Sequence, residues 1–363
     1  MIIAYLAPAN SIHTVRWCNA MANLGHEIHL ISMHEKHAEL SEKIFPHPLK
    51  YSAPLGYFLN SHQLKKILDI IHPDIFHAHF ASGYGTLGRK AAFHPYVLSV
   101  WGSDVYDFPR KSSLHTRLLM KNLAAPDIIC STSTVMRKQT QTLAPTNKPI
   151  RVIPFGVDTE LFKPSEGNSG IEKRITIGTV KTMAPKYGID TLIKAFALLI
   201  QDPEMSREDV NLVLVGGGPD LEKLKRLSKE LQIITSTSFL GQVDHQRVPE
   251  LLRNMDIYIA PSRLDSESFG VAVIEASSSG IPVIVSDVGG LVEVVENQVT
   301  GIIVPKDDVG SVKEAMKRLV VNPDLRKGMG KKGRERVLKL YDWKENVNAM
   351  EEIYIYLLSK NAH

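Results

Sequence analysis

The sequence predicts an α/β protein made of two doubly wound, Rossmann-like domains, and three observations carry that prediction. At 363 residues the chain is long for a single hydrophobic core. Short apolar, β-rich runs alternate with amphipathic helical stretches throughout, the pattern of a parallel sheet flanked by helices. The alternation breaks once, at the polar, Gly- and Ser-containing residues 165–173, and then restarts.

The strands of the first half are expected at 1–7, 27–32, 74–80, 96–102, 127–132 and 150–156, with helical patterns at 14–24 and 60–71. Those of the second half are expected at 174–180, 211–217, 236–241, 256–262, 281–287 and 300–305, with helices opening at Asp190, Pro219, Val248 and Phe269. The expected division is an acceptor-side domain over 1–163, a linker over 164–173, a nucleotide-sugar-binding domain over 174–341 and a C-terminal helix within 342–363. That helix carries Trp343, Val347, Met350, Ile353, Tyr354 and Leu357 on one face and needs a partner, either its own domain or the first. In doubly wound sheets ligands bind outside the carboxyl ends of the strands, so chemistry is expected in a cleft between the domains.

Composition narrows the class. With 44% hydrophobic and 23% charged residues the chain reads as an ordinary globular protein. Two cysteines make neither a disulfide framework nor a metal cluster, so the cytoplasm, or the inner face of its membrane, is the expected location. The opening run MIIAYLAPAN lacks a basic flank and meets Pro8 early, as a buried strand does and a signal peptide does not. No run approaches ~18 apolar residues. Residues 1–165 hold 17 Lys and Arg against 11 Asp and Glu, and 12 of the 14 histidines. A basic half suits an anionic partner or surface, although drift in surface composition explains it equally well.

The segment ESFGVAVIE, from Glu267 to Glu275, sets two carboxylates around seven small or apolar residues. Glu267 precedes a helix start and Glu275 lies about two turns into the helix, a separation of roughly 10 Å, near the span of a nucleotide diphosphate with a sugar attached. Between them Gly270 allows close backbone approach, and the N–H groups of a helix start favour anionic oxygen. Carboxylates at the two ends are placed to accept hydrogen bonds from a ribose diol and a sugar diol. A plainer reading makes Glu267 an ordinary helix-start acid; a lone buried Glu275 is costly and fits that reading poorly.

The wider stretch PSRLDSESFGVAVIEASSSGIPVIVSDVGGLVEVV resembles the signature region of the retaining GT-B glycosyltransferases of the group 1, or family 4, type. VIPFGVDTELFKP, LVLVGGGPDLEKLKRL and SFLGQVDHQRVPELLRNMDIYIAPS are similar to its interdomain segment, glycine-rich turn and nucleotide-side strand and helix. The resemblance implies that Glu275 binds the donor ribose and that Glu267 approaches the transferred sugar. Phe269, Gly270 and Val271 would offer backbone N–H groups, and Gly216, Gly241 and Val243 would lie on the donor side. Lys181 and Lys186, five apart, would stabilise the leaving diphosphate without a metal. The family usually has Arg first, and Lys lacks its bidentate fork; Tyr187 is an extra residue before Gly188.

In the first half Trp101 stands where many relatives have a histidine. Asp104 beside it is expected to touch acceptor or sugar, unless it is a turn or capping aspartate. Asn10, Ser11 and His13 occupy a first loop without the usual glycine pair, and of His77 and His79 one imidazole is expected to face the ligand. No carboxylate-rich cluster supports a metal there. The basic helix within 110–125 either packs its leucines or lies on an anionic membrane, and packing is favoured.

The resemblance therefore implies retaining transfer of a sugar from a nucleotide-diphosphate donor, UDP-linked, to a glycan acceptor. That acceptor would be lipid-linked, in surface polysaccharide or glycoconjugate synthesis. No cofactor and no nucleic-acid partner are expected. The alternatives are an epimerase or phosphorylase on the same fold, or a nucleotide-binding protein without turnover. A dinucleotide oxidoreductase would need GxGxxG after the first strand, and residues 8–13 contain no glycine.

Overall fold

The computed structural model describes residues 1–144, 147–165, 174–205 and 209–361. Most of the expected linker, residues 166–173, lies outside them. The chain divides into two compact units: Met1–Phe155 together with Lys344–His363, and Gly156–Trp343.

The first unit is built on a seven-stranded parallel sheet of β1 (Ile2–Leu6), β2 (Glu27–Ser32), β3 (Phe45–Pro48), β4 (Ile75–His79), β5 (Tyr96–Val100), β6 (Ile128–Ser131) and β7 (Ile150–Val152). Its order is β3-β2-β1-β4-β5-β6-β7. Every residue of β4, β5 and β6 is buried, as expected for strands covered by helices on both faces. The second unit holds six parallel strands: β8 (Ile175–Val180), β9 (Val210–Val215), β10 (Thr237–Gly241), β11 (Ile257–Ala260), β12 (Val283–Ser286) and β13 (Gly301–Val304). Their order is β10-β9-β8-β11-β12-β13. Each sheet reverses its winding once, between β1 and β4 and between β8 and β11. Within each sheet, the loops leaving its two strands at the reversal border the crevice that its own winding creates.

Strand β3 was not expected. Its sequence, FPHP, has two prolines, which a central strand would not tolerate; β3 pairs only with β2, at the sheet edge.

The C-terminal helix, Trp343–Asn361, packs in the first unit. Tyr354 is buried, and its hydroxyl lies 2.8 Å from that of Tyr5 and 2.7 Å from His77 Nδ1. His77 Nε2 lies 2.8 Å from Ser99 Oγ, so the polar chain from helix to β5 is paired link by link. His26 adds a 2.7 Å contact to Glu351.

Residues 156–163, expected in the first domain, belong to the second unit. The reason is hydrogen bonding. Phe162 O accepts from Ser278 Oγ at 2.6 Å and from Arg334 at 3.1 Å, and Val157 N donates to Tyr341 O at 2.8 Å.

Candidate active site

In the second unit the residues that the sequence singles out converge on the β8/β11 reversal. Lys181 follows β8 directly, and Glu267 lies in the loop after β11, 86 positions along. Their side chains, 10% and 9% exposed, form an ion pair with Lys181 Nζ 2.7 Å from Glu267 Oε1. Burial pushes the Lys181 ammonium down, but the charge and hydrogen bond of Glu267 outweigh it and hold the group above the ordinary lysine value. Beneath them the phenol of Tyr258 bonds Val180 O at 3.2 Å, and burial pushes it up to about 12.

Two glycine approaches fix this pair. Gly216 has φ +134°, and a Cβ there would meet Lys181 O at 1.9 Å, so only glycine lets the turn after β9 cross the lysine backbone. Gly289 has φ +48°, and a Cβ would lie 2.3 Å from Glu267 O; the next residue, Gly290, donates its N–H to that same oxygen at 2.9 Å. The GlyGly of DVGG thus cradles the Glu267 loop, a role the sequence reading did not assign.

Lys186 sits on a short turn, Pro185–Tyr187, and among the described residues no carboxylate lies within ion-pair distance of it. Its loop is held from below by Arg263, whose N–H groups reach Pro185 O, Asp190, Thr191 and Asp307, and whose backbone N donates to Lys186 O at 2.8 Å. The ring of Tyr187 lies 5.1 Å from Lys181 Nζ and 4.9 Å from Lys186 Nζ. One aromatic face set therefore steadies both ammonium groups, each of which lacks the geometric fork of arginine. Tyr187→Leu is expected to weaken nucleotide-diphosphate binding about 5- to 10-fold, the size of one or two such contacts, while Tyr187→Phe keeps wild-type affinity. Titration calorimetry on the two variants measures this.

Glu275 lies within the helix Val271–Ser278, which follows Gly270. The opening N–H groups of that helix have no preceding helical carbonyl to bond. Glu275 is 4% exposed beside the buried Val273, Ile274 and Ala276, and its carboxylate lies 3.8 Å from His245 Nε2. His245 follows Gly241 and Val243 in the loop after β10, and one exposed histidine in a polar loop carries no signal of a site in the sequence. Phe269 is buried edge-on to Tyr341, with ring centroids 5.5 Å apart, and fixes the helix start. Among the described residues no group of three or more His, Cys, Asp or Glu is arranged to hold a metal.

The residues that the sequence singles out in the first unit flank the β1/β4 reversal and behave differently. Asn10 is exposed, and Ser11 starts the helix Ile12–Asn23 without its hydroxyl bonding the helix backbone. His13 stacks on Phe155 with centroids 4.2 Å apart, and Trp101 lies 5.8 Å from His13, 4.4 Å from His79 and 4.8 Å from Phe80. Trp101, at the place of the family's histidine, is thus the hub of an aromatic cluster.

Two expectations change here. Both His77 and His79 are 1% exposed, so neither imidazole faces outward. Burial lowers His77 to about 3, and burial together with the neighbouring histidines holds His79 well below the usual value, so both are neutral. Asp104 is equally buried, and its carboxylate accepts the backbone N–H groups of Ala81, Trp101 and Gly102 at 2.8, 3.1 and 2.9 Å. Burial pushes that carboxyl up against the pull of those N–H groups. Its geometry is that of a side chain tying two loops together, as a turn aspartate does.

Comparison with known proteins gives the family. Residues 163–336 match the family described as glycosyl transferases group 1, and residues 2–133 match the one described as glycosyl transferase 4-like. The chain belongs to the group 1 glycosyltransferases. It is 32% identical to the GDP-mannose-dependent alpha-(1-6)-phosphatidylinositol monomannoside mannosyltransferase of Mycobacterium tuberculosis over 53% of this chain and 52% of that one, about half the length of that relative. It is 26% identical to the N-acetyl-alpha-D-glucosaminyl L-malate synthase of Bacillus anthracis over 93% of this chain and 91% of that one. Among solved structures it resembles HepE of Anabaena in complex with UDP, with a TM-score of 0.83 at 18% identity over 98% of this chain and 100% of that one. The two parallel sheets are those of the GT-B fold class. Among the described residues no helix is long and apolar enough to cross a membrane.

Proposed function

We propose that the chain is a retaining hexosyl- or N-acetylhexosaminyltransferase that takes its sugar from a UDP-linked donor and passes it to a lipid-linked glycan in surface-glycoconjugate assembly. The observation that carries the reading is the buried Lys181–Glu267 pair at the sheet reversal, with Lys186 beside it and Glu275 on the adjoining helix. In this reading Glu275 accepts the ribose hydroxyls, and the start of the helix at Val271 receives the diphosphate. Lys181 and Lys186 stabilise the charge that develops on the leaving diphosphate. Glu267, fixed by Lys181, orients the sugar, and a leaving phosphate oxygen takes the acceptor proton. No protein base is required, which is compatible with Trp101 in place of a histidine.

The relatives divide over the base. The mycobacterial enzyme is described by GDP-mannose and a phosphatidylinositol acceptor, whereas the Anabaena structure holds UDP. The first supports a lipid-borne acceptor and the second supports uracil. Calorimetry with UDP, GDP and ADP separates them, followed by NMR of the product's anomeric proton. UDP binding and an α-linked product from an α-linked donor are expected; an inverted anomer overturns retention, and no binding of any nucleotide overturns the transferase reading. The alternative of a binding protein without turnover draws on Trp101 alone, and the same turnover assay decides it.

A further inference from the structure

The first unit carries an apolar surface that no described part of the chain covers. Tyr51, Leu55, Phe58 and Leu59, within nine positions of each other, are 43, 68, 46 and 53% exposed. Their backbone is not loose. Asn60 bonds both the N–H and the carbonyl of Tyr51, at 3.1 and 2.8 Å. Gly56 lies so close to Tyr51 O that a Cβ would meet it at 2.1 Å, and the Tyr57 ring fills the space over Gly83. With Tyr57 turned inward as the anchor, its neighbours are held outward.

The surroundings of this surface are cationic. Lys50 Nζ lies 5.4 Å from the centre of the Tyr51 ring; Lys90 Nζ lies 5.2 Å from that of Phe58 and donates to its carbonyl at 3.3 Å. The helix Gly83–Ala91 packs against the helices Gly56–Leu59, Ser61–Ile71 and Ser113–Ala124, so the four form one layer on one face of the sheet. Residues 50–71, 83–94 and 108–125, which supply that layer, hold nine Lys and Arg against a single acid, Asp69. Of these, Lys65, Lys66, Arg110, Lys111, Arg117 and Lys121 are exposed.

From this we infer that the layer docks on an anionic lipid surface, with Leu55, Phe58 and Leu59 entering the headgroup region and the lysines and arginines meeting lipid phosphates. Apolar side chains ringed by cations fit such a surface on both counts. A second copy of the chain would bring a like-charged face against this one, and a nucleic acid would leave the aliphatic side chains without a partner. The helix within 110–125, which the sequence singled out for a membrane role, buries Leu119 and Leu123 in its own unit and leaves Leu114 outward. It contributes charge to the layer, while the apolar contact comes from residues 51–59.

Sedimentation with vesicles tests this, using phosphatidylcholine alone and phosphatidylcholine with phosphatidylglycerol, at low and high salt. The full chain is expected to bind the anionic vesicles at low salt, to leave them as salt rises, and to ignore the neutral ones. Leu55→Ser/Phe58→Ser and Lys65→Glu/Lys66→Glu are each expected to lower partitioning at least 10-fold, with melting temperature and nucleotide affinity unchanged. Leu55→Ser alone gives a smaller loss in the same direction and serves if the double variant misfolds. Failure of the wild type to bind anionic vesicles overturns the proposal, as does equal binding by the variants. So does a concentration-dependent dimer that Leu55→Ser/Phe58→Ser abolishes. Nucleotide binding is measured without lipid, so failure here leaves the transferase reading standing, and failure of that reading leaves this one.

Discussion

Glu275→Ala abolishes measurable nucleotide binding while the second unit stays folded: that is the expected result with the largest effect on function. The carboxylate is 4% exposed on an eight-residue helix whose neighbours Val273, Ile274 and Ala276 are core. A carboxylate kept in such surroundings costs solvation that apolar packing does not return. The Nε2 of His245 lies 3.8 Å from that carboxylate. Two ribose hydroxyls donating to one carboxylate make two charge-assisted bonds, each contributing about 1.5 kcal/mol or more, so their joint loss weakens binding roughly 100-fold or beyond. Glu275→Gln keeps one acceptor oxygen without the charge and is expected to fall between, about 10-fold weaker than wild type. Calorimetry with the nucleotide that the wild type binds reads all three proteins, and thermal melting confirms the fold. Equal affinity in wild type and Glu275→Ala would make Glu275 a structural partner of the His245 loop and remove the ribose clamp from the reading.

Much of this arrangement was legible in the residues because its signals are local. All six strands of the second sheet, and six of seven in the first, lie where short Val- and Ile-rich runs put them. The missing one, β3, was hidden because proline is a poor marker of strands and an edge position is a property of the whole sheet. The two glutamates were legible because acids flanking a run otherwise made for burial need a reason. What they pair with was not: Lys181 meets Glu267 across 86 positions, through a contact that exists only once β8 and β11 lie side by side. Tyr187 looked like an insertion before Gly188, and only the folded turn shows its ring between two ammonium groups. The polar residues of the first unit misled for the opposite reason. A histidine, or an aspartate after a strand, reads as a ligand contact in sequence, yet Tyr354 and Ser99 pair with His77, and three backbone N–H groups hold Asp104.

The second large effect is on stability. Lys181→Met is expected to destabilise the second unit by about 3 to 5 kcal/mol, because it leaves Glu267 buried without its cation. With side chains 10% and 9% exposed, the pair has little solvent to screen it, unlike a surface bridge. Removing both charges, as Lys181→Met/Glu267→Leu, is expected to restore most of the lost stability, since well-packed apolar residues often replace a buried pair at no net cost. Denaturant unfolding of the two variants and the wild type measures this, and transfer activity is expected to be lost in both. The pH dependence has a defined sign. The Lys181 ammonium is held above its ordinary value in the folded protein, so the stability it contributes is fully present below the unfolded lysine value of about 10.4 and is lost only as pH rises through the folded one. Across neutral pH the Lys181 ammonium therefore keeps its charge. Recovery of stability without recovery of activity would separate the two roles of the pair. The ion pair holds the loop after β11 against the end of β8, and its two charged ends are what a departing diphosphate and a transferred sugar would meet. Should Lys181→Met unfold with the wild type and keep donor affinity, Lys181 would be neither the support of Glu267 nor a cation of the site, and Lys186 would be the lysine left to meet the diphosphate.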